Sequence, residues 1–309
     1  MNKHRTNALL QLLVLFALAA AVVLTLAWPQ LPFAKREGEP VEVSVILRQT
    51  DGSAWANARL GMEQAAGQLR AEVRLVTPSA ENDAAEQARL MGYEAQRGAD
   101  VLVVIPAGEL PADTGVPVIT LETPGGDGSV CPDNEALGRA LAAAALEDLP
   151  ACRVLLVNSA PGSAGVSARL EGARATLEAG GAEVEEAQLD PADDGTELET
   201  VLAKSEADAV LLFEPSATET AASAKEKLSL APALYGVGST SPIAAALEQG
   251  TLSASAVWSD FAAGYLAVEG AVHAARGESW QPQTLDFSIL RGEDMYEPDN
   301  QKLLFPVAS

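Results

Sequence analysis

The chain has 309 residues, 43 of them acidic against 20 basic, for a formal net charge of −23. A surface this negative repels nucleic acid, which argues against DNA or RNA as a direct partner. Apolar residues make up 48% of the chain, ample for globular cores, and the length suggests about two domains.

The N-terminus is a different material. Lys3, His4 and Arg5 precede Ala8 to Trp28, which is apolar apart from Gln11 and Thr25. At a helical rise of about 1.5 Å per residue, residues 8–28 would span a hydrocarbon layer of about 30 Å. They also exceed the apolar core of about 7 to 15 residues expected of a cleaved signal peptide. Basic residues lie on the far side as well, at Lys35 and Arg36, so orientation rests on the N-terminal cluster and on the long acidic chain that follows, which crosses largely regardless of charge. The expectation is a cytoplasmic basic segment (1–7), an uncleaved transmembrane signal anchor (8–28) and a tether (29–41), with the remainder extracytoplasmic, at the cell surface or in the periplasm. A cleaved signal is the rival, with Ala34 a poor boundary. No cysteine lies near the segment, which removes a lipoprotein-type attachment.

From residue 42 onward the pattern alternates. VSVILR is a short branched run, and a loop DGSAW leads into a helical face of Trp55, Ala58, Met62, Ala65, Ala66 and Leu69. AEVRLV follows as a strand; Asn82 and Asp83 open a second helix that Gly98 closes. VLVVIP and VPVITLE are further strands, the latter with Glu122 at its carboxyl end, then GGDGS turns into SVC and the helix PDNEALGRALAAAAL. Strands of this composition between helix-period segments predict a buried parallel sheet, whose carboxyl edge is where loops line a crevice. The pattern then starts over. RVLLVN, the loop SAPGSAG, the helix Ser167 to Ala179, AEVEEAQL, a helix from about Thr196 to Ser205 and ADAVLLF come first. A helix near Thr218 to Leu228, ALYGVG, a helix Pro242 to Gln249, TLSASAVW, a helix Phe261 to Arg276, the strand LDFSIL and a polar tail complete it. Two doubly wound α/β lobes are implied, repeated in architecture without detectable residue identity.

Groups for catalysis are scarce. Only His4 and His273 are present, so no histidine triad or zinc site can be assembled, and neither a metal nor a cofactor is expected. Gly162-Ser163-Ala164-Gly165 lacks the Lys-Ser or Lys-Thr of a phosphate loop, and Gly236-Val237-Gly238 lacks the third glycine of a dinucleotide fingerprint. An exported chain invites a disulfide between Cys131 and Cys152, but these fall at opposite ends of a predicted strand-helix-strand layer, beyond the ~7 Å Cα limit of a bridge.

With both halves laid out, the chain resembles the type I periplasmic solute-binding proteins, in their ribose and galactose branch. The motifs are VSVILR with an aromatic loop and GMEQAA, RGADVLVVIPA, VPVITLE, PDNEALGRALA, SARLEGARATLEAGGAEV and EQGTLSASAVWSDFAAGYLAVEGAV. The resemblance covers about Val41 to Leu290. It implies two Rossmann-like lobes joined by a three-stranded hinge, the first of residues 42–132 and 259–286, the second of 133–258 and 287–309. It also implies a small molecule trapped as the lobes close, and no enzymatic activity.

By the same resemblance the ligand-binding positions are Trp55, Glu122, Thr123, Asn134, Arg169, Glu214 and Trp258. Trp55 stands where relatives stack an aromatic on a sugar, with core packing as its other role. Glu122-Thr123 stand where an Asp-Arg pair is common. Asn134 could equally cap its helix, and Arg169 could equally form a surface ion pair. Glu214, Gly238 and Trp258 depart from the usual asparagine, aspartate and glutamine, which disfavours ribose itself. A sugar, a polyol, or a cationic or nucleoside-like compound drawn to Glu122 and Glu214 fits what remains. The expected function is capture of a sugar-like solute for an ABC-type permease, or its presentation to a membrane receptor or kinase.

Overall fold

A computed structural model describes residues 39–150 and 152–305. The expected anchor at 8–28 lies outside the described residues, as does its tether up to residue 38. Among the described residues no helix is long and apolar enough to cross a membrane.

The first half runs β1 (Val41–Ile46), a 3-10 turn (Ser53–Trp55), α1 (Ala56–Leu69), β2 (Ala71–Val76), α2 (Ala84–Gln96), β3 (Val101–Val104), β4 (Val118–Leu121) and β5 (Gly128–Pro132). The second runs α3 (Asn134–Asp148), β6 (Arg153–Asn158), α4 (Ala164–Ala179), β7 (Glu183–Gln188), α5 (Thr196–Lys204), β8 (Ala209–Leu212) and α6 (Pro215–Leu228). It continues through β9 (Ala233–Val237), α7 (Ser241–Glu248), β10 (Ala254–Trp258) and α8 (Asp260–Ala275). β11 (Gln283–Leu285), β12 (Phe287–Leu290), a 3-10 turn (Gly292–Tyr296) and α9 (Pro298–Leu304) end the described chain.

Two six-stranded sheets result, in the orders β11-β5-β4-β3-β1-β2 and β12-β10-β9-β8-β6-β7. The orders correspond strand for strand, so the architectural repeat expected from the sequence is present. All pairs are parallel except β10 with β12. The central strands VLVV of β3 and AVLL of β8 are buried throughout, as a sheet covered on both faces requires. Edge strands β2 and β7 mix exposed charged residues with half-buried ones, which suits a strand with one unpaired side.

Helix pairs cover the sheets through a shared device. A methyl group on Gly61 of α1 would lie 2.0 Å from the Phe261 carbonyl oxygen, and one on Gly264 of α8 would lie 1.9 Å from that of Ala58. In the second lobe a methyl group on Gly138 of α3 would lie 1.9 Å from the Arg169 carbonyl oxygen, and one on Gly172 of α4 would lie 2.2 Å from that of Glu135. Each glycine thus faces the carbonyl three residues before its partner glycine. The two lobes share this reciprocal contact although their sequences show no general identity.

Among the described residues the chain passes between the sheets three times, and each passage is one residue long. Asp133 separates β5 from α3, Ser259 separates β10 from α8, and Asp286 separates β11 from β12. Asp133 and Ser259 also cap the helices they precede, accepting from the backbone N–H of Ala136 at 2.9 Å and Ala262 at 3.1 Å.

Three expectations differ locally. LDFSIL is not one strand, because Asp286 sends Leu285 and Phe287 into different sheets. The polar tail folds back as a turn and a helix that bury Met295 and Leu304. Two helices begin three residues before the periodic pattern: α4 at Ala164, capped by Ser163, and α6 at Pro215, where a proline's missing N–H costs nothing. Cys131 and Cys152 are both buried and unbridged.

Candidate functional site

The carboxyl ends of the strands in both sheets converge on the space between the lobes. β1 runs out into Arg48, whose side chain is fully buried. One guanidinium nitrogen, Nη2, donates to Glu122 Oε2 at 3.0 Å, within the first lobe. The other, Nη1, donates to Asn82 Oδ1 at 2.9 Å and to Glu214 Oε1 across the cleft. Glu214 immediately precedes α6 in the second lobe, and its other carboxylate oxygen accepts from the Ser159 hydroxyl. Burial works against the Arg48 charge, but the carboxylates of Glu214 and Glu122 outweigh it and hold its pKa above the usual arginine value. Burial likewise opposes ionisation of Glu122, and the charges of Arg48 and Arg169 reverse that, leaving its carboxyl below the usual range.

Asn82 extends the bridge. Its backbone N–H donates to the Arg48 carbonyl at 2.8 Å and its Nδ2 donates to the Pro191 carbonyl of the second lobe at 3.1 Å. It sits at φ 53, in the left-handed region that asparagine tolerates better than most residues.

Arg169 forms a second buried cationic centre. Nε donates to Asn134 Oδ1 at 2.7 Å and Nη1 to the Phe213 carbonyl at 2.9 Å, while its carbon Cζ lies 5.0 Å from the Trp258 ring centre. That geometry is a cation–π contact. Nη2 is a buried donor without a hydrogen-bond partner among the described residues. Burial lowers the pKa of Arg169. Asn134 in turn donates from Nδ2 to the Glu122 carbonyl at 2.7 Å, tying the first lobe's Glu122 to the second lobe's Arg169. Glu122 itself is held at φ 65, in the left-handed region.

A small cavity of about 30 Å3 is lined by Trp55, Gln49 and Glu122 from the first lobe, Ser239 and Trp258 from the second, and Asp260 at the start of α8. The Trp55 indole N–H donates to Gln49 Oε1 at 3.1 Å. Asp260 accepts from the Ser239 hydroxyl at 2.6 Å. Burial pushes its carboxyl up to about 6, with the Ser239 bond opposing and the Glu122 charge adding. A wider cavity of about 550 Å3 opens beside it, with Glu81 and Asn82 on one side and Asp190, Asp193, Asp194 and Glu214 on the other.

The structure therefore brings Trp55, Glu122 and Trp258 to one cavity and sets Glu214 in the bridge beside it. Thr123, Asn134 and Arg169 line neither cavity. They are buried behind the wall, where Thr123 Oγ1 has no hydrogen-bond partner among the described residues and the Thr123 carbonyl accepts from the Thr120 hydroxyl at 2.6 Å. Trp55 lies in the 3-10 turn before α1 and not on its face. The helix cap near Asn134 is Asp133, and full burial excludes a surface ion pair for Arg169. The glycine at 238 has a local cause: at φ 117, a methyl group there would lie 2.9 Å from Ile243 and 3.0 Å from Pro215.

Sequence reasoning missed Arg48, Gln49, Ser239 and Asp260. A signal existed for Arg48, since it directly follows a buried strand on the edge where crevices form. Among the described residues no three His, Cys, Asp or Glu side chains are placed to hold a metal ion.

Comparison with known proteins adds a family. A model described as a periplasmic binding protein domain matches residues 43–279. Among solved structures, a carbohydrate-transporter solute-binding protein from Agrobacterium radiobacter in complex with D-arabinose is 18% identical. It matches with a TM-score of 0.78 over 86% of this chain and 99% of its own. A Caulobacter myo-inositol-binding protein bound to myo-inositol is 21% identical, with a TM-score of 0.72 over 86% and 98%. The protein of a XylFII–LytSN complex is 16% identical, with a TM-score of 0.71 over 83% and 99%. No curated protein sequence matches.

Proposed function

The chain belongs to the periplasmic binding protein domain family, and from that premise we propose that it captures a neutral, polyhydroxylated solute between its lobes and delivers it to an ABC-type permease. Proteins of this family bind ligands without transforming them, and the chain is not an enzyme. One observation carries the reading: Trp55 and Glu122 of one lobe face Trp258 of the other across a cavity at the carboxyl edge of both sheets. Aromatic faces suit the apolar side of a sugar or cyclitol ring, and the flanking carboxyl and hydroxyl groups suit its hydroxyls.

Charge narrows the solute class. Glu122 and Glu214 could draw a cation, but Arg48 pairs with both and the buried Arg169 guanidinium offsets the second negative charge. A neutral polyol matches such a site better than a cationic compound does. D-arabinose and myo-inositol, bound by the two structural relatives, are the natural first probes. A cavity of about 30 Å3 holds about two waters, so a monosaccharide enters with the lobes further apart. Melting temperature of the full chain is the test, measured against aldoses, ketoses and cyclitols. A true solute at about a hundred times its Kd stabilises by about 2.7 kcal/mol. No shift with any neutral polyol would sink the proposal.

Residues 8–28 serve in this reading as an uncleaved anchor that holds the lobes outside the cytoplasm. Resistance to alkaline extraction and protease access from outside check it. A second reading, in which the lobes present their solute to a membrane receptor or kinase, draws support from the likeness to the protein of the XylFII–LytSN complex. Crosslinking in native membranes separates the two by the partner captured.

A further inference from the structure

We propose that Arg48 is a built-in strut that draws the lobes together with the protein's own side chains, so that closure does not depend on solute alone. Only interactions that exist in one state and not the other can shift an equilibrium between open and closed lobes. The bonds around Arg48 divide cleanly on that criterion. Its contacts with Glu122 and Asn82 lie within the first lobe and survive opening. Its bond to Glu214, and that of Asn82 to the Pro191 carbonyl, join the two lobes and are lost.

The strut is preorganised. Glu122 and Asn82 hold the guanidinium where Glu214 meets it, and Ser159 holds the free oxygen of Glu214 from its own lobe. Both partners of the inter-lobe pair are buried, with side-chain exposures of 0% and 2%. The pair is therefore screened far less than an exposed one. One guanidinium between two carboxylates leaves an excess negative charge, which the buried Arg169 guanidinium behind Glu122 offsets. The inference concerns the lobes and does not rest on which solute the cleft accepts.

The test uses the full chain without added solute, carrying nitroxides at Ala85→Cys in α2 and Lys204→Cys in α5. Both positions are exposed and they belong to different lobes. Pulsed electron resonance then reads the distance between the lobes. The labelled parent is expected to show mainly one short distance. Glu214→Gln keeps shape and the Arg48–Glu122 pair while removing the inter-lobe charge, and Arg48→Gln removes the strut itself. Each is expected to lower the ratio of short to long distances about tenfold or more, as loss of a buried charge pair implies. Circular dichroism on both variants establishes that they fold, and if Arg48→Gln does not, Glu214→Gln decides alone. A parent that is mainly open, or distances unchanged in Glu214→Gln, overturns the strut. Either result leaves solute binding standing, and a chain that closes on Arg48 but binds no polyol separates the two claims in the other direction.

Discussion

Asp260 is the residue in the cleft whose protonation is set by its surroundings within the ordinary pH range. Its carboxyl is pushed up to about 6, whereas an unfolded aspartate titrates near 3.9. Between those values the folded protein holds more protons than the unfolded chain, so this residue's contribution to stability falls as pH rises from about 4 to about 6 and is level above. Glu122, with its carboxyl held low, acts in the opposite direction at lower pH. The contribution of Asp260 is isolated by subtracting Asp260→Asn from the parent. The difference in unfolding free energy should change across that window and stay flat above pH 7, and a difference constant from pH 4 upward would contradict the assignment.

At this scale the sequence was uneven as a guide. Trp55, Glu122 and Trp258 share a cavity because each follows or ends a buried strand, or lies in the loop just beyond one, and that placement is readable from apolar runs. Arg48 was not readable as a strut. A charged residue after VSVIL is equally what a solvent-facing strand end looks like, and its partner Glu214 is 166 residues away. Arg169 was legible as important but not as buried, because its partners are the Asn134 side chain and the Phe213 backbone carbonyl, and a carbonyl leaves no mark in the sequence.

Among the elements, the reciprocal glycines fix how closely α1 meets α8 and α3 meets α4. Replacing Gly61 by alanine forces a methyl group onto the Phe261 carbonyl, which cannot swing aside as a side chain would. A loss of about 2 kcal/mol or more is expected in chemical denaturation. Gly67 lies in the same helix with nothing within 4 Å of an added methyl group. Gly67→Ala should stabilise by about 0.5 to 1 kcal/mol, since alanine restricts the unfolded chain and favours helix. Equal effects from the two substitutions would mean that helix propensity, and not the close approach, governs both. Periodicity exposed these helices in the sequence, yet not their contacts, because a glycine chosen for proximity looks like any other. The break of LDFSIL at Asp286 escaped for a related reason. Leu285 and Phe287 are both good strand residues, and only the separate sheets they join distinguish them.

For the whole molecule, the matching order of the two sheets is the level at which the sequence spoke most plainly. Alternating strand and helix patterns carry that order, since a parallel array with crossover helices leaves few ways to arrange its strands. What no local pattern announces is how little chain joins the halves: Asp133, Ser259 and Asp286 each stand alone between elements of different lobes. Three such links, none with any slack, forbid the halves from drifting apart or sliding past each other. They permit a pivot about one axis, in which whatever enters is enclosed from the same direction every time. Two glycines inserted beside Asp286 would loosen one link. Inter-lobe distances in that variant should then spread well beyond the parent's range, and an unchanged spread would place the axis at the other two crossings.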